Sequence, residues 1–245
     1  MIHTLARACC LQRETVLAAV CGLGLLLIPG CQSAPTASPA SSKSGERSTP
    51  AAPRSDRDFL EAIASTPARQ ETRQLVVVLA PDNPPTDRAR FVSVALFAAM
   101  REGQQFERVA GPFAGVVGCN GFAPVGAKRE GDKRSPTGRF TITELFGEDP
   151  AFKPRMPYKV VGDSDAWCED PASPYYNQWL PASAVTPGID KLKRDDSLYT
   201  HAAVIDYNRW PVVPGAGSAI FMHYAEPDGA GTLGCVGLDH KELDM

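Results

Sequence analysis

The 245-residue sequence lacks an excess of charge of either sign: 25 Lys and Arg stand against 28 Asp and Glu, for a formal net charge of −3. Its basic residues are scattered, which removes the electrostatic footprint a nucleic-acid partner requires. It also lacks a membrane-length hydrophobic run. The longest, Val16 to Ile28, has 13 residues; at about 1.5 Å per helical residue it covers roughly 20 Å, short of a hydrocarbon core near 30 Å. No C-x-x-C or H-x-x-x-H spacing occurs among its seven Cys and four His, so no metal is expected. There is no internal repeat. With 43% hydrophobic and 22% charged residues, the composition is that of a globular protein with a buried core, long enough for one catalytic domain.

The amino terminus has signal-segment grammar: Arg7 and Arg13 precede the apolar run, which ends at Ile28-Pro29-Gly30-Cys31. That exit resembles a bacterial lipobox, so residues 1–30 are expected to leave as a lipoprotein signal peptide and Cys31 to become the lipidated first residue of an exported, membrane-anchored protein of the bacterial cell envelope. From Gln32 to Asp56 the sequence is rich in Ser, Pro, Ala and Thr, a composition with little apolar surface to offset the entropy of ordering. It predicts a flexible tether over 31–73, with a short helix at Asp58–Ile63, and a catalytic domain over 74–245. An oxidising compartment allows disulfides. Cys9, Cys10 and Cys21 leave with the signal, so Cys119, Cys168 and Cys235 remain, an odd number. Cys119 and Cys168 are the candidate pair, with free thiols as the alternative.

The domain reads as mostly β. Short runs at Leu75–Leu79, Phe91–Phe97, Arg139–Ile142, Tyr158–Val161, Ala203–Tyr207 and Ala219–His223 are β-branched or alternating and bounded by Gly, Pro or Asp. Period-two alternation in the last puts Phe221 and His223 on one face and Ile220 and Met222 on the other. Twelve positions beyond His223 stands Cys235, inside Gly231-Thr232-Leu233-Gly234-Cys235-Val236-Gly237. Three glycines around one thiol suit a tight turn that presents a nucleophile. Most free cysteines are inert core residues, and a lone strand His is more often satisfied core, but the pairing of this His with this turn favours chemistry. Asp239 and Glu242 have the spacing of a capping box, and a thiol just ahead of a helix start has its thiolate favoured. Zinc binding by Cys235, His223, His201 and His240 is disfavoured by their spacing.

These segments resemble the catalytic signature of the L,D-transpeptidases with a YkuD-like domain. Gly118-Cys119-Asn120-Gly121, Lys128-Arg129-Glu130-Gly131-Asp132, Ser135-Pro136-Thr137-Gly138-Arg139-Phe140, Asp170–Asn177 and Val204–Asn208 are similar to the branch with Gly-Cys-Val at its active site, and the resemblance covers Leu75 to Leu238. It implies a β-sandwich-like fold with few short helices and a cofactor-free site. Cys235 would be the nucleophile and His223 its base, with the Tyr224 carbonyl orienting the imidazole and the N–H groups of Gly234 and Cys235 facing an oxyanion. Thr232, Asp132, Tyr176 and Asn208 are candidates for substrate contact, turn and capping roles being open to each. The implied reaction is attack on a peptidoglycan tetrapeptide stem, release of D-Ala from a thioester, and transfer to an amine. A carboxypeptidase or amidase with the same Cys–His site, and a non-catalytic peptidoglycan-binding lipoprotein, are the alternatives. Leu233 stands where many members have a second His, and Gly237 where many have Arg. The lipid reading makes a direct prediction: Cys31→Ala moves the protein from the membrane to the soluble fraction, and unchanged membrane association on cell fractionation would refute it.

Overall fold

The structure, a computed structural model, describes residues 15–20, 54–65, 72–84, 86–99, 105–185 and 191–245. Cys31 and most of the expected tether lie outside these. Mostly β is what the described residues form: among them nine strands make one curled sheet, accompanied by two short α-helices. The strands are β1 (Thr15–Val20), β2 (Gln74–Leu79), β3 (Phe91–Ala99), β4 (Phe106–Val116), β5 (Arg139–Gly147), β6 (Tyr158–Val160), β7 (His201–Ile205), β8 (Phe221–Tyr224) and β9 (Val236–Leu238), and the helices are α1 (Asp56–Ser65) and α2 (His240–Leu243). Their order across the sheet is β1-β2-β3-β4-β9-β8-β7-β5-β6. Because β1 pairs with β2 in parallel and also with β5 antiparallel, the sheet returns on itself. The β1 residues belong to the run read above as a signal segment; cleavage ahead of Cys31 would leave β2 and β5 as edges there.

Each strand forms where β-branched and aromatic residues can face a packed neighbour. Along β2, Val78 joins a cluster with Val92, Val94, Ile142, Ile205, Ile220, Met222 and Val236, while Leu75, Val77 and Leu79 point to the opposite face. There they meet α1. Phe59 and Ala62 pack on Val77, Leu79, Ala95 and Phe97, with the Phe59 and Phe97 rings 5.9 Å apart. Ser55 and Asp58 start that helix reciprocally: Asp58 Oδ2 accepts from the Ser55 N–H at 2.9 Å, and Ser55 Oγ accepts from the Asp58 N–H at 3.4 Å. Arg54 fastens the entry to Asp82 and to the Ala80 carbonyl. The short helix expected at Asp58–Ile63 is present as α1 and packs on the sheet. Amphipathicity explains the packing, since Phe59 buried completely removes enough apolar surface from water to hold one short helix there.

Three strands were not read as strands from the sequence: β1 lies in the run assigned to a signal segment, and β4 and β9 escaped the pattern. β4 is the longest, yet Glu107, Arg108 and Gly111-Pro112 break its alternation, and its pairing with β3 shifts register near Leu96. β9 is only three residues long, too short to register as a periodic run. It is nonetheless central, antiparallel to β4 and parallel to β8. Among the described residues no helix is long and apolar enough to cross a membrane.

Candidate functional site

The parallel pairing of β8 with β9 sets His223 opposite Gly237 and Met222 opposite Val236. Reaching that register requires residues 225–235 to cross over, and the crossover delivers Cys235 immediately ahead of β9. The expected alternation holds: Ile220 and Met222 enter one cluster, whereas Phe221 packs in another that includes Cys235, Phe146 and Trp167. Cys235 and His223 thus line one pocket, with Lys128, Glu130, Arg194, Tyr199, Ser218 and Thr232 among the other walls.

The turn before Cys235 is held from below. Ser135, only 1% exposed, donates its hydroxyl to the carbonyls of Gly234 (2.7 Å) and Cys235 (2.9 Å) and accepts from the Gly118 N–H (3.0 Å). Thr232 Oγ donates to the Cys235 carbonyl at 2.8 Å and accepts from the Gly234 N–H at 3.1 Å. Gly234 has φ +154°, and a Cβ there would stand 3.0 Å from Ile220 Cδ1 and 3.1 Å from the Arg134 carbonyl. A side chain at that position is strained and crowded, so the glycine is a requirement of the turn.

His223 is 6% exposed, and its Nδ1 lies 2.7 Å from the Tyr224 carbonyl. A carbonyl only accepts, so Nδ1 carries the proton and Nε2 is left as the basic nitrogen. Tyr199 packs edge-on against the imidazole, centroids 5.0 Å apart. This burial drives the His223 pKa down to about 4, against the raising effect of the Tyr224 carbonyl. Burial likewise pushes the Cys235 thiol up to about 12, opposed by the N–H of Phe221, which donates to Sγ at 3.3 Å. The thiol donates to the Ala219 carbonyl at 3.3 Å, a residue held at φ +52°. Among the described residues no hydrogen bond joins Sγ to the imidazole. The resting pair is therefore a neutral thiol beside a neutral imidazole. The helix-dipole argument fails here, because β9 separates Cys235 from α2 and that helix has only four residues.

The other singled-out residues are spread differently. Thr232 is at the pocket and braces the turn. Asp132 closes its own loop, accepting from the N–H groups of Arg129 and Arg134 and from Lys128 Nζ at 2.7 Å. Tyr176, 2% exposed, donates to Glu130 and accepts from the Gly217 N–H. Asn208 spends its amide on Val213 and Gly217, fastening the 208–217 turn. Asp132, Tyr176 and Asn208 do not line the pocket; Asp132 holds Lys128 and Tyr176 holds Glu130, which do, while Asn208 fastens Gly217. Ser135, Lys128 and Glu130 were visible only as members of a motif, because nothing in a linear pattern marks which face of a loop meets Cys235. The Tyr224 side chain lies away from the pocket, donating to Asp244, which also contacts His201. Cys119, Cys168 and Cys235 are all free; of the two alternatives the thiols take the free one, Cys119 being exposed with its thiol on the Gly231 carbonyl and Cys168 buried. Among the described residues no three His, Cys, Asp or Glu cluster as a metal site would need.

At the position where arginine is common, Gly237 has its missing Cβ 2.8 Å from Val116 Cγ2 and 3.2 Å from Ala225. A long cation there would displace β4 or the crossover. Leu233 is 74% exposed at the rim.

A model of the YkuD family, the L,D-transpeptidase catalytic domain, matches residues 95–244, more than half of the chain. The protein belongs to this family, and with it to enzymes of L,D-transpeptidase type acting on peptidoglycan. No curated protein and no solved structure matches the chain.

The buried imidazole has a measurable consequence. Its folded pKa of about 4 lies below the ordinary 6.5, so its contribution to stability is present above pH 6.5 and is lost as pH falls towards 4, up to about 3 kcal/mol. Denaturant titrations of wild type and His223→Gln across that window are expected to converge as pH drops, and parallel curves would contradict the burial account.

Proposed function

We propose that the protein is a peptidoglycan L,D-transpeptidase in which Cys235 forms a thioester with a tetrapeptide stem. The supporting observation is the shared wall: a buried thiol and an imidazole whose Nε2 is its open nitrogen, held on one strand face by the β8–β9 pairing. Substrate entry brings the scissile carbonyl against Sγ. As the S–C bond forms, the thiol proton passes to His223 Nε2 and the carbonyl electron pair moves onto oxygen. Collapse restores the carbonyl, breaks the C–N bond, and returns the proton to the departing D-Ala amine. An acceptor amine then attacks the thioester by the same steps in reverse.

A proton transfer within a neutral pair suits a closed site, since no isolated charge has to persist in the resting enzyme. Lipid attachment at Cys31 is part of the same proposal, because it would keep an exported domain near the cell wall. The test is product analysis by mass spectrometry. A disaccharide-tetrapeptide with excess acceptor amine is expected to give free D-Ala and an amine-exchanged product, Cys235→Ala to give neither, and His223→Ala to slow both by about 10²–10⁴. Tripeptide as the sole product at every amine concentration would reassign the site as a carboxypeptidase, and bound but uncleaved peptide would make the protein a binder.

A further inference from the structure

Among the described residues, the pocket wall holds one deeply buried cation. Lys128 is 4% exposed, and its Nζ donates to Asp132 Oδ1 at 2.7 Å and to the Arg129 carbonyl at 2.8 Å. An ammonium has three protons to give, and among the described residues the third has no recorded partner. Its aliphatic stem runs along Gly217 and Gly234. A Cβ at Gly217 would meet Lys128 Nζ at 3.2 Å, and one at Gly234 would meet Cε at 3.7 Å. Gly234 is the residue before the candidate nucleophile, so the charge stands beside the turn that presents Sγ.

The oxyanion arrangement expected for such a turn is incomplete. Of the two backbone donors, the Gly234 N–H is committed to Thr232 Oγ at 3.1 Å, which leaves the Cys235 N–H. Burying an ammonium in a pocket wall is unfavourable unless it is paired or used, and Asp132 engages only one of its protons. We propose that Lys128 is a catalytic cation of the Cys235 site, its spare proton and charge meeting the negative charge that develops on sulfur and on the tetrahedral oxygen. The proposal rests on the reading of Cys235 as nucleophile. In the resting enzyme the lysine already favours the Cys235 thiolate, as does Arg194, while Glu169 opposes it. Glu130 and Asp132 are the acidic groups of its own loop; Glu130 is engaged by Tyr176 and by Ser218 Oγ at 2.7 Å, and Asp132 lies against the ammonium.

Two variants of the full-length protein act with opposite sign if the charge matters. Lys128→Met removes the cation at similar length, and Asp132→Asn removes its neutraliser while keeping one of the two acceptor oxygens that the loop N–H groups use. The first readout is the pH profile of Cys235 alkylation by iodoacetamide, followed by peptide mapping. Lys128→Met is expected to slow alkylation at fixed pH by about tenfold, a displacement of about one pH unit towards alkaline, and Asp132→Asn to speed it. The second readout is D-Ala release, where Lys128→Met is expected to lower kcat by about 10²-fold with KM little changed, and Lys128→Arg to recover part of it. Thermal melts run alongside separate loss of fold from loss of charge. Alkylation unchanged in both variants, or slowed equally in both, overturns the proposal even if Cys235→Ala is inactive. Full activity in Cys235→Ala would instead overturn the nucleophile reading beneath it.

Discussion

The site depends on one pairing, the parallel alignment of β8 and β9 at the middle of the sheet. Antiparallel neighbours need only a tight turn, but parallel ones require a crossover connection. Here the crossover is short and carries no helix. It returns across the sheet end through Gly231 and Gly234, so a backbone constraint and a chemical one fall on the same residues. Gly237, inside β9, shows the constraint from the other side. The ladder is packed so tightly against Val116 and Ala225 that the strand has no space for a long side chain, and charge for the pocket has to come from elsewhere.

That charge comes from loops braced by buried polar groups. Ser135 ties the Cys235 turn to the Gly118 loop, and Tyr176 and Asp132 fix Glu130 and Lys128. These hydrogen bonds are buried or half-buried, where an unmade bond costs more than a made one contributes. Burial also sets the protonation of Cys235 and His223. It drives the thiol up and the imidazole down, so both groups are neutral at neutral pH.

Much of this was legible in the sequence. Six of the nine strands stood out as β-branched or alternating runs, and period two correctly assigned Phe221 and Met222 to opposite faces. The His–Gly-Cys spacing and the ordered motifs identified the family. β4 was hidden because its middle is polar and interrupted by Gly111-Pro112, and β9 because three residues carry no period. α1 was read as a fragment of tether, since a helix with two buried residues is decided by the surface it meets. The site's scaffold was hidden for a related reason. Asp132, Tyr176 and Asn208 were open to substrate contact or to turn and capping roles alike, and the loops turn their polar atoms inward while Lys128 and Glu130 line the pocket.

The central claim is that Cys235 carries the acyl group. Incubating the protein with a tetrapeptide stem, quenching in acid and sequencing the peptides by mass spectrometry tests it most directly. The account predicts an added acyl mass on the peptide containing Cys235, equal to the stem less D-Ala and removed by hydroxylamine as a thioester is. Acyl mass on Cys119 or Cys168, or turnover that proceeds while the Cys235 thiol is blocked by a stable alkyl group, would contradict it.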